Sequence, residues 1–365
     1  MWNHLDLRLR SLWILARTKL AARRGLGREI QRQRDEFYTH TWEQAASQVG
    51  ASITHLESGL LEFNRKGQST RVWKNYTTLD DPVTLRLAGN KPLVLRKLEA
   101  LGTTVSPWKS FTLETLETTY EFLDGSPHVV KPARNTGAGS GVTTCVRTKR
   151  ELRNSVAIAA AFDTTLLIEK QIPGDNYRLL FLHGELIEVV RRKPPMVLGD
   201  GTHTIRQLVA TENCSRREQG WRRAQTILSI DDDMRRTLSE SGMSVHSIPA
   251  LDQLVALKTV INENRAGENQ LVHGVCPEIV ALCRDCAREL NVTLAGVDII
   301  TTDLSVPLQA SRGVVLEVNT TPGLYHHYDP VLRKCRVASV ILEAALRQSV
   351  SSRHVLGNEK REVAI

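Results

Sequence analysis

Two carboxylates and an amide, close in space by strand spacing, point to one kind of chemistry. In Gly313-Val-Val-Leu-Glu-Val-Asn-Thr-Thr-Pro-Gly323, Val314 to Val318 reads as a buried strand, apolar and β-branched around a single acid. Glu317 and Asn319 lie two apart, so both side chains project to the same face. Asp298, in Ala295-Gly-Val-Asp-Ile-Ile300, belongs to a neighbouring strand. Together they form a hard oxygen site of the kind that holds Mg²⁺ carrying nucleotide phosphates. An acid among Val and Leu is costly to bury unpaired, which favours a bound cation over a simple strand-end cap.

Residues suited to phosphate and purine lie upstream. Asn135-Thr-Gly-Ala-Gly-Ser-Gly141 falls between two strands, so it fits neither a Walker A nor a dinucleotide-binding context. As a hairpin tip, Gly137, Gly139 and Gly141 let backbone N–H groups approach an anion closely. Lys131 ends the strand before it, where a bound anion is a natural partner for a buried ammonium. In Ile168-Glu-Lys-Gln-Ile172, an apolar wall followed by an extended linker suits a purine. Lys170 and Ile172 would give main-chain groups to the base, and Asp175 or Asn176 would hold ribose hydroxyls. Arg178 and Arg191, on a hairpin closed at His183-Gly184, would face one cleft and stabilise a transferring phosphoryl group. A charged outer face is the competing reading, strongest for Arg192. His326 and His327 follow a Pro-Gly turn and suit substrate contact or a solvated loop equally.

The elements that must position these groups alternate helix and strand. Residues 1–48 read as helix broken at Gly25-Leu-Gly27. Two strands follow (52–63 and 69–73). Helices start at Asp81-Pro82 and Asn90-Lys91-Pro92. A helix is expected over 112–123, strands over 128–132 and 142–146, and a helix over 149–162. Strands follow at 165–169, 177–182 and 186–192. Residues 199–270 read as polar and irregular, with short helices at 205–211 and 216–228. Arg265 and His203 are the weak substrate candidates there. A helix over 277–290 precedes strands at 294–301 and 313–319. A last helix is expected from Pro330 to Gln348, and residues from 351 read as a disordered tail. As units, this gives an N-terminal region (1–85) and a central domain (86–330), split into a nucleotide-gripping part (105–182) and a metal- and substrate-binding part (183–330). A C-terminal helix (331–350) and the tail (351–365) complete the division.

Length and composition are those of a globular protein with a full core. No stretch is long and apolar enough to span a bilayer, and the N-terminus lacks a signal-peptide pattern. Six cysteines in 365 residues make no disulfide framework, so a reduced, cytoplasmic protein is expected. Cys276, Cys283 and Cys286 lack a second pair to complete a zinc set and read as packing residues. The net charge of +8 is concentrated in the first helical stretch. A solvated basic face, with Leu5, Leu9, Leu12, Leu15 and Leu20 packed inward, is favoured there over nucleic acid, an anionic membrane surface or an acidic partner. Trp13 alone is too little aromatic surface for stacking bases, so no nucleic acid is expected.

Taken in order, these motifs resemble the ATP-grasp carboxylate–amine ligases, nearest the ATP-grasp region of cyanophycin synthetases. The resemblance rests on Val129-Val-Lys-Pro132, on Glu169-Lys-Gln-Ile-Pro-Gly-Asp-Asn-Tyr-Arg-Leu-Leu180 with Gly199-Asp-Gly-Thr-His-Thr-Ile205, and on Ala295-Gly-Val-Asp298 with Leu316-Glu-Val-Asn-Thr-Thr-Pro-Gly-Leu324. It implies an α/β (α+β) ATP-grasp fold, with two subdomains gripping ATP between them. Lys91 and Lys131 would hold the phosphates, and Glu169, Lys170 and Ile172 would border adenine. Asp298, Glu317 and Asn319 would hold Mg²⁺ (or Mn²⁺), and Arg178 would lie near the reacting carboxylate. Asn176 stands where the family often has an acid. Nothing after Tyr328 resembles the Mur-ligase-like half of cyanophycin synthetases, so their two-step polymer chemistry is not expected. The implied activity joins a carboxylate and an amine, on amino acids or short peptides, through an acyl phosphate. A phosphotransferase and a non-catalytic nucleotide-binding partner protein are the alternatives. For a soluble enzyme of this size, a homodimer or homotetramer is the default expectation.

Overall fold

Two helices, α1 (His4–Arg23) and α2 (Gly25–Val49), lead the chain. They meet at the break expected beside Gly25, and Arg24 lies outside the described residues. In this computed structural model, residues 4–23, 25–134, 136, 137 and 139–359 are described. Strands β1 (Ser52–His55), β2 (Leu60–Arg65) and β3 (Gln68–Trp73) form an antiparallel meander. The long first strand expected there is divided by a turn in which Ser58 and Gly59 take positive φ. α3 (Pro82–Ala88) and α4 (Lys91–Ala100) begin where Pro follows a capping side chain. Asp81 accepts the N–H groups of Val83 and Thr84, and Asn90 accepts that of Leu93.

A four-stranded sheet comes next, from β4 (Trp108–Phe111), β5 (His128–Pro132), β6 (Thr143–Val146) and β7 (Leu166–Lys170), in the order β4-β7-β5-β6. α5 (Lys149–Ala159) packs on it through Leu152 and Val156, against Val130, Leu166 and Ile168. The helix expected over 112–123 is only a 3₁₀ segment, Leu116–Phe122. Its threonines turn inward on the chain: Thr118 and Thr119 donate to the carbonyls of Thr115 and Leu116, competing with α-helical bonding.

β8 (Asp175–Leu182) and β9 (Glu185–Arg192) form a hairpin. The stretch expected to be irregular after it is a small unit of β10 (Met196–Leu198), α6 (Ile205–Gln219), α7 (Asp232–Glu240) and β11 (Leu254–Ala256). It has its own core of Val197, Ile205, Val209, Met234, Leu238 and Val255. α6 runs through the gap expected between two short helices, and a Thr204–Gln207 capping box starts it. The unit docks on the edge of the first sheet, where Thr144 donates to Asp233 at 3.0 Å and Arg147 pairs with Glu240 at 2.6 Å.

β12 (Asn269–Leu271), β13 (Leu294–Thr301) and β14 (Val314–Asn319) complete a five-stranded sheet in the order β12-β9-β8-β13-β14. α8 (Pro277–Glu289) and α4 cover one face over Leu179, Phe181, Val297 and Ile299. Cys283 and Cys286 are buried in this core as packing residues, and burial pushes both thiols up. α9 (Ala338–Glu359) begins eight residues later than Pro330, because 328–329 pair with 334–335 and place that proline in the intervening turn. The stretch expected as a tail from 351 is helical as far as Glu359, and residues 360–365 lie outside the described ones.

Candidate nucleotide and metal site

The second face of the five-stranded sheet carries the chemistry. Cross-strand register sets Arg178 of β8 opposite Asp298 of β13, and Asp298 opposite Glu317 of β14. Directly opposed residues share a face, so the three side chains form a row. Asn319, opposite Gly296, extends it by one pleat. The β13–β14 register shifts just after Asp298, leaving Leu316 as an extra residue beside Glu317. Such a bulge re-aims side chains next to a site.

Asp298 is 1% exposed and is clamped by two arginines that are each 5% exposed. Arg178 Nε and Nη2 reach Oδ1 and Oδ2 at 2.7 and 2.8 Å, and Arg192 Nη2 reaches Oδ2 at 2.6 Å. Burial alone would push the Asp298 carboxyl up. The two guanidinium charges outweigh it and hold the group well below the usual carboxylate range. Arg192 pays for the crowding (burial, then the charge of Arg178, bring it down to about 10). Asn319 donates to Asp298 Oδ2 at 3.3 Å and to Glu317 Oε1 at 3.2 Å, tying the three predicted ligands into one group.

The first sheet contributes the cations. Lys131 of β5 and Glu169 of β7 are both buried, with Nζ 2.6 Å from Oε1. Lys91, the first residue of α4, is fixed by its N–H, which donates to the Ala133 carbonyl at 3.0 Å just past β5. Its ammonium donates to the Thr136 carbonyl at 3.2 Å in the glycine-rich loop. Burial lowers the Lys91 pKa, and its charge is coupled to Glu317, Lys131 and Glu169. α4, which Lys91 starts, packs through Val94 and Leu98 on the five-stranded sheet, so its first residue links the two sheets. If Lys91 binds phosphate as an ammonium, nucleotide affinity is expected to fall as pH rises through this lowered value, earlier than an ordinary lysine would titrate. Binding of a nucleotide analogue followed from neutral to alkaline pH checks this, and Lys91→Arg should flatten the fall.

The loop over the cleft needs glycine at two positions. Gly139 has φ +70, and a Cβ there would meet Val260 Cγ1 at 2.5 Å. Gly141 has φ +75, and a Cβ would meet Phe162 and Pro132 at 2.7 and 2.8 Å. Gly137 has open space, and its carbonyl accepts the Ser140 N–H at 3.2 Å. Gly139→Ala adds a left-handed conformational cost of about 1–2 kcal/mol to the clash. The expected outcome is a displaced loop and more ADP released per product formed, read from coupled ADP and product assays.

Some expectations change. Arg191 lies on the far face, opposite Tyr177, and pairs with Asp175 at 2.6 Å. Arg192 stands in the cleft instead. An unbroken two-residue hairpin pairs Arg178 with Val189 and Asn176 with Arg191. A bulge between Leu180 and Phe181 moves the register by one, so Arg178 pairs with Val190 and Asn176 with Arg192. Asp175, next to Asn176 on β8, points to the far face with Arg191 by strand alternation, while Asn176 stays on the cleft face, accepting from Arg192 Nε at 2.9 Å. The main chain of Lys170 is already used: its N–H donates to Pro107 at 2.9 Å and its carbonyl accepts from Ser106. Its ammonium pairs with Asp124 at 2.9 Å. The Gln171 N–H donates to the Pro127 carbonyl at 2.9 Å, and no bond to the main chain of Ile172 is described. Arg265 is tied to Glu268 at 2.9 Å, and His203 to Asp200 on an exposed turn at 2.6 Å.

The histidines after the Pro-Gly turn separate. His327 is buried and bonds Glu188 through Nδ1 at 2.8 Å, while its Nε2 is buried without a partner. His326 contacts Asn269 through Nδ1 at 3.2 Å. Burial first, then the charges of Arg192 and Arg178, hold it well below the usual histidine range.

The donor set suits a divalent cation. No group of three His, Cys, Asp or Glu that could hold a metal occurs among the described residues, so a cation here would need the Asn319 amide as its third donor. Glu317 is half-buried, and its Oε1 accepts from the Asn319 amide at 3.2 Å. Two carboxylates and an amide are oxygen donors of the type that Mg²⁺ and Mn²⁺ take.

No family model matches the chain. Cyanophycin synthetase of Trichormus variabilis is 28% identical over 249 residues, covering 67% of this chain and 28% of that protein. The glutathione biosynthesis bifunctional protein GshAB of Mannheimia succiniciproducens is 28% identical over 324 residues, covering 87% of this chain and 40% of that protein. The chain thus spans well under half the length of these curated relatives. Among solved structures, a bifunctional glutathione synthetase from Pasteurella multocida superposes with a TM-score of 0.52 at 23% identity, over 84% of this chain and 44% of that one. With its two sheets, glycine-rich loop and facing charged strands, the chain has the two-sheet fold that the ATP-grasp resemblance implies.

Proposed function

We propose that this chain is an ATP-dependent ligase that joins a carboxylate to an amine, on amino acids or short peptides, with release of ADP and phosphate. One observation carries the reading: the Lys91 N–H donates to the Ala133 carbonyl at 3.0 Å just past β5, while the helix that Lys91 starts packs through Val94 and Leu98 on the sheet that holds Asp298 and Glu317. The relatives named cyanophycin synthetase and glutathione biosynthesis bifunctional protein support it. In this reading, Lys91 and Lys131 neutralise the phosphates, and Ile172 and the apolar end of β7 border the base. Glu317, Asn319 and Asp298 hold Mg²⁺, which supplies charge neutralisation at the phosphates. A substrate carboxylate oxygen attacks the γ-phosphorus, the bond to ADP breaks, and an acyl phosphate forms. The free amine attacks the acyl carbon, phosphate leaves, and the nitrogen gives up a proton.

The protein's part is to place and neutralise charge. Arg178 and Arg192 spend Nε and Nη2 on Asp298 and Asn176, so the contribution left to them at the reacting carboxylate is through Nη1. The glycine-rich loop, seated on Val260, shields the acyl phosphate from water.

Incubation with ATP, Mg²⁺, hydroxylamine and a panel of amino acids and dipeptides tests the reading. A ligase gives an ATP-dependent hydroxamate with at least one carboxylate. A stable phosphorylated product without hydroxamate would instead show a phosphotransferase, and no turnover across the panel would favour a binding protein.

A further inference from the structure

His326 stands on the cleft face with one ring nitrogen held and the other open. Leu324 and Tyr325 are buried in the core beneath α2 and α9, and His327 is buried beside Glu188. A 3₁₀ segment turns every three residues, so the side left over falls to His326, which is half-buried. Its Nδ1 contacts Asn269 Oδ1 at 3.2 Å. Asn269 is paired directly opposite Arg192, so both side chains share the cleft face. A Cβ on Gly296, two residues before Asp298, would meet Pro322 at 3.0 Å and Arg178 at 3.3 Å, so the Pro-Gly turn lies on that face against Arg178. A Cβ on Gly323 would lie 4.0 Å from His326 Nε2. The ring therefore stands between Asn269 and the turn, on the face that carries Arg178 and Arg192.

The bonds around Asn269 set the tautomer. Asn264 Nδ2 donates to the Lys193 carbonyl at 3.1 Å and to Asn269 Oδ1 at 2.9 Å, and Asn269 Nδ2 donates to the Arg265 carbonyl at 3.3 Å. A main-chain carbonyl only accepts, so these contacts orient both amides and turn the Asn269 oxygen to the ring. In the neutral imidazole the proton is then on Nδ1, and Nε2 carries the lone pair. Among the described residues, nothing bonds Nε2.

We propose that His326 is the general base of the amine step, an inference that rests on the ligase reading above. As the amine nitrogen bonds the acyl carbon and the bond to phosphate breaks, Nε2 takes the proton that the nitrogen sheds. The imidazolium then gives that proton to solvent. Burial and the charges of Arg192 and Arg178 disfavour a lasting proton on the ring, which favours this return. The other candidates on this face are engaged. Two arginines clamp Asp298, Glu188 bonds His327, and the His327 side chain is fully enclosed.

Two assays of His326→Gln test the inference. Wild type and variant receive ATP, Mg²⁺ and the carboxylate that gives wild type the most hydroxamate, with either hydroxylamine or a mixture of the common amino acids. Hydroxylamine attacks an acyl phosphate without a protein base, so it reads the first step alone. The amino acids read the complete reaction, through the amide detected by mass spectrometry. Amide formation is expected to fall about 10²-fold or more, the scale of a lost general base, while hydroxamate formation and the thermal melt persist. A second variant, Asn269→Ala, frees the tautomer but keeps His326, and a smaller split of the same sign is expected. Equal loss in both assays, or amide formation at the wild-type rate, overturns the inference. So does a wild type that yields hydroxamate but no amide. No hydroxamate from wild type is a separate result, which refutes the ligase reading itself.

Discussion

Asp298→Asn is expected to unfold the protein far more readily than Glu317→Gln, although both are expected to stop turnover. Asp298 is the shared partner of two buried guanidinium groups. An amide in its place can accept with one oxygen only and turns an N–H₂ toward a donor. Leaving a buried charge without its partner costs about 3–5 kcal/mol. Glu317 is half-buried and carries no such clamp, so its isosteric replacement is expected to change stability by no more than about 1 kcal/mol. Turnover in each is expected to fall by about 10²–10³ or more, the scale of losing one electrostatic group from a charge-transferring site.

Acid sharpens the test. The folded-state pKa of Asp298 lies below its ordinary value, so its stabilisation is complete above the unfolded pKa. It is lost as pH falls through the folded value. The stability gap between wild type and Asp298→Asn should therefore be full at neutral pH and shrink below about pH 4. Denaturant melts across that range read it directly. A gap that persists unchanged in acid would mean that the carboxylate charge is not what holds the arginines.

Lys131→Met is expected to damage two things that a second substitution separates. The single variant leaves Glu169 buried beside a methyl thioether, again at about 3–5 kcal/mol. In Lys131→Met/Glu169→Gln no buried charge remains unpaired, so most of that stability should return. Nucleotide affinity should not return. A charge-assisted hydrogen bond to phosphate contributes about 1.5–3 kcal/mol, or roughly 10- to 100-fold in Kd. Melting and nucleotide titration of the four proteins in the cycle isolate the pair term. Recovery of both stability and affinity in the double variant would make Lys131 a purely structural residue.

Sequence showed more of this site than of the elements around it, for identifiable reasons. Glu317, Asn319 and Asp298 were legible because strand alternation and one acid in an apolar run are local signals, and the register joins them. Helix starts at Pro82 and Lys91 were legible because Asp81 and Asn90 are local caps. The choice between Arg191 and Arg192 was not, because one inserted residue in β9 reverses the face and leaves no mark in composition. The role of Asp298 as the partner of two arginines was equally hidden, since Arg192 lies more than a hundred residues away and pairs only through β8. The unit from 196 to 256 was read as irregular because its strands are three residues long and its core is assembled from distant pieces. In α1, Leu5, Leu9 and Leu12, expected inward, are exposed and α5 covers Leu7 instead; Leu15 is half-buried, and the side chain of Leu20 lies outside the described residues. Both sides of that helix are apolar, so periodicity could not say which one α5 would cover.

The central claim is that Lys91, Lys131, Glu317 and Asn319 act on one nucleotide–cation complex. It is tested most directly by calorimetric titration of a non-hydrolysable ATP analogue, with and without Mg²⁺, into wild type and Glu317→Gln. The account predicts that Mg²⁺ tightens binding to wild type and that Glu317→Gln abolishes this Mg²⁺-dependent gain while leaving the melt in place. An undiminished Mg²⁺ effect in Glu317→Gln would contradict it.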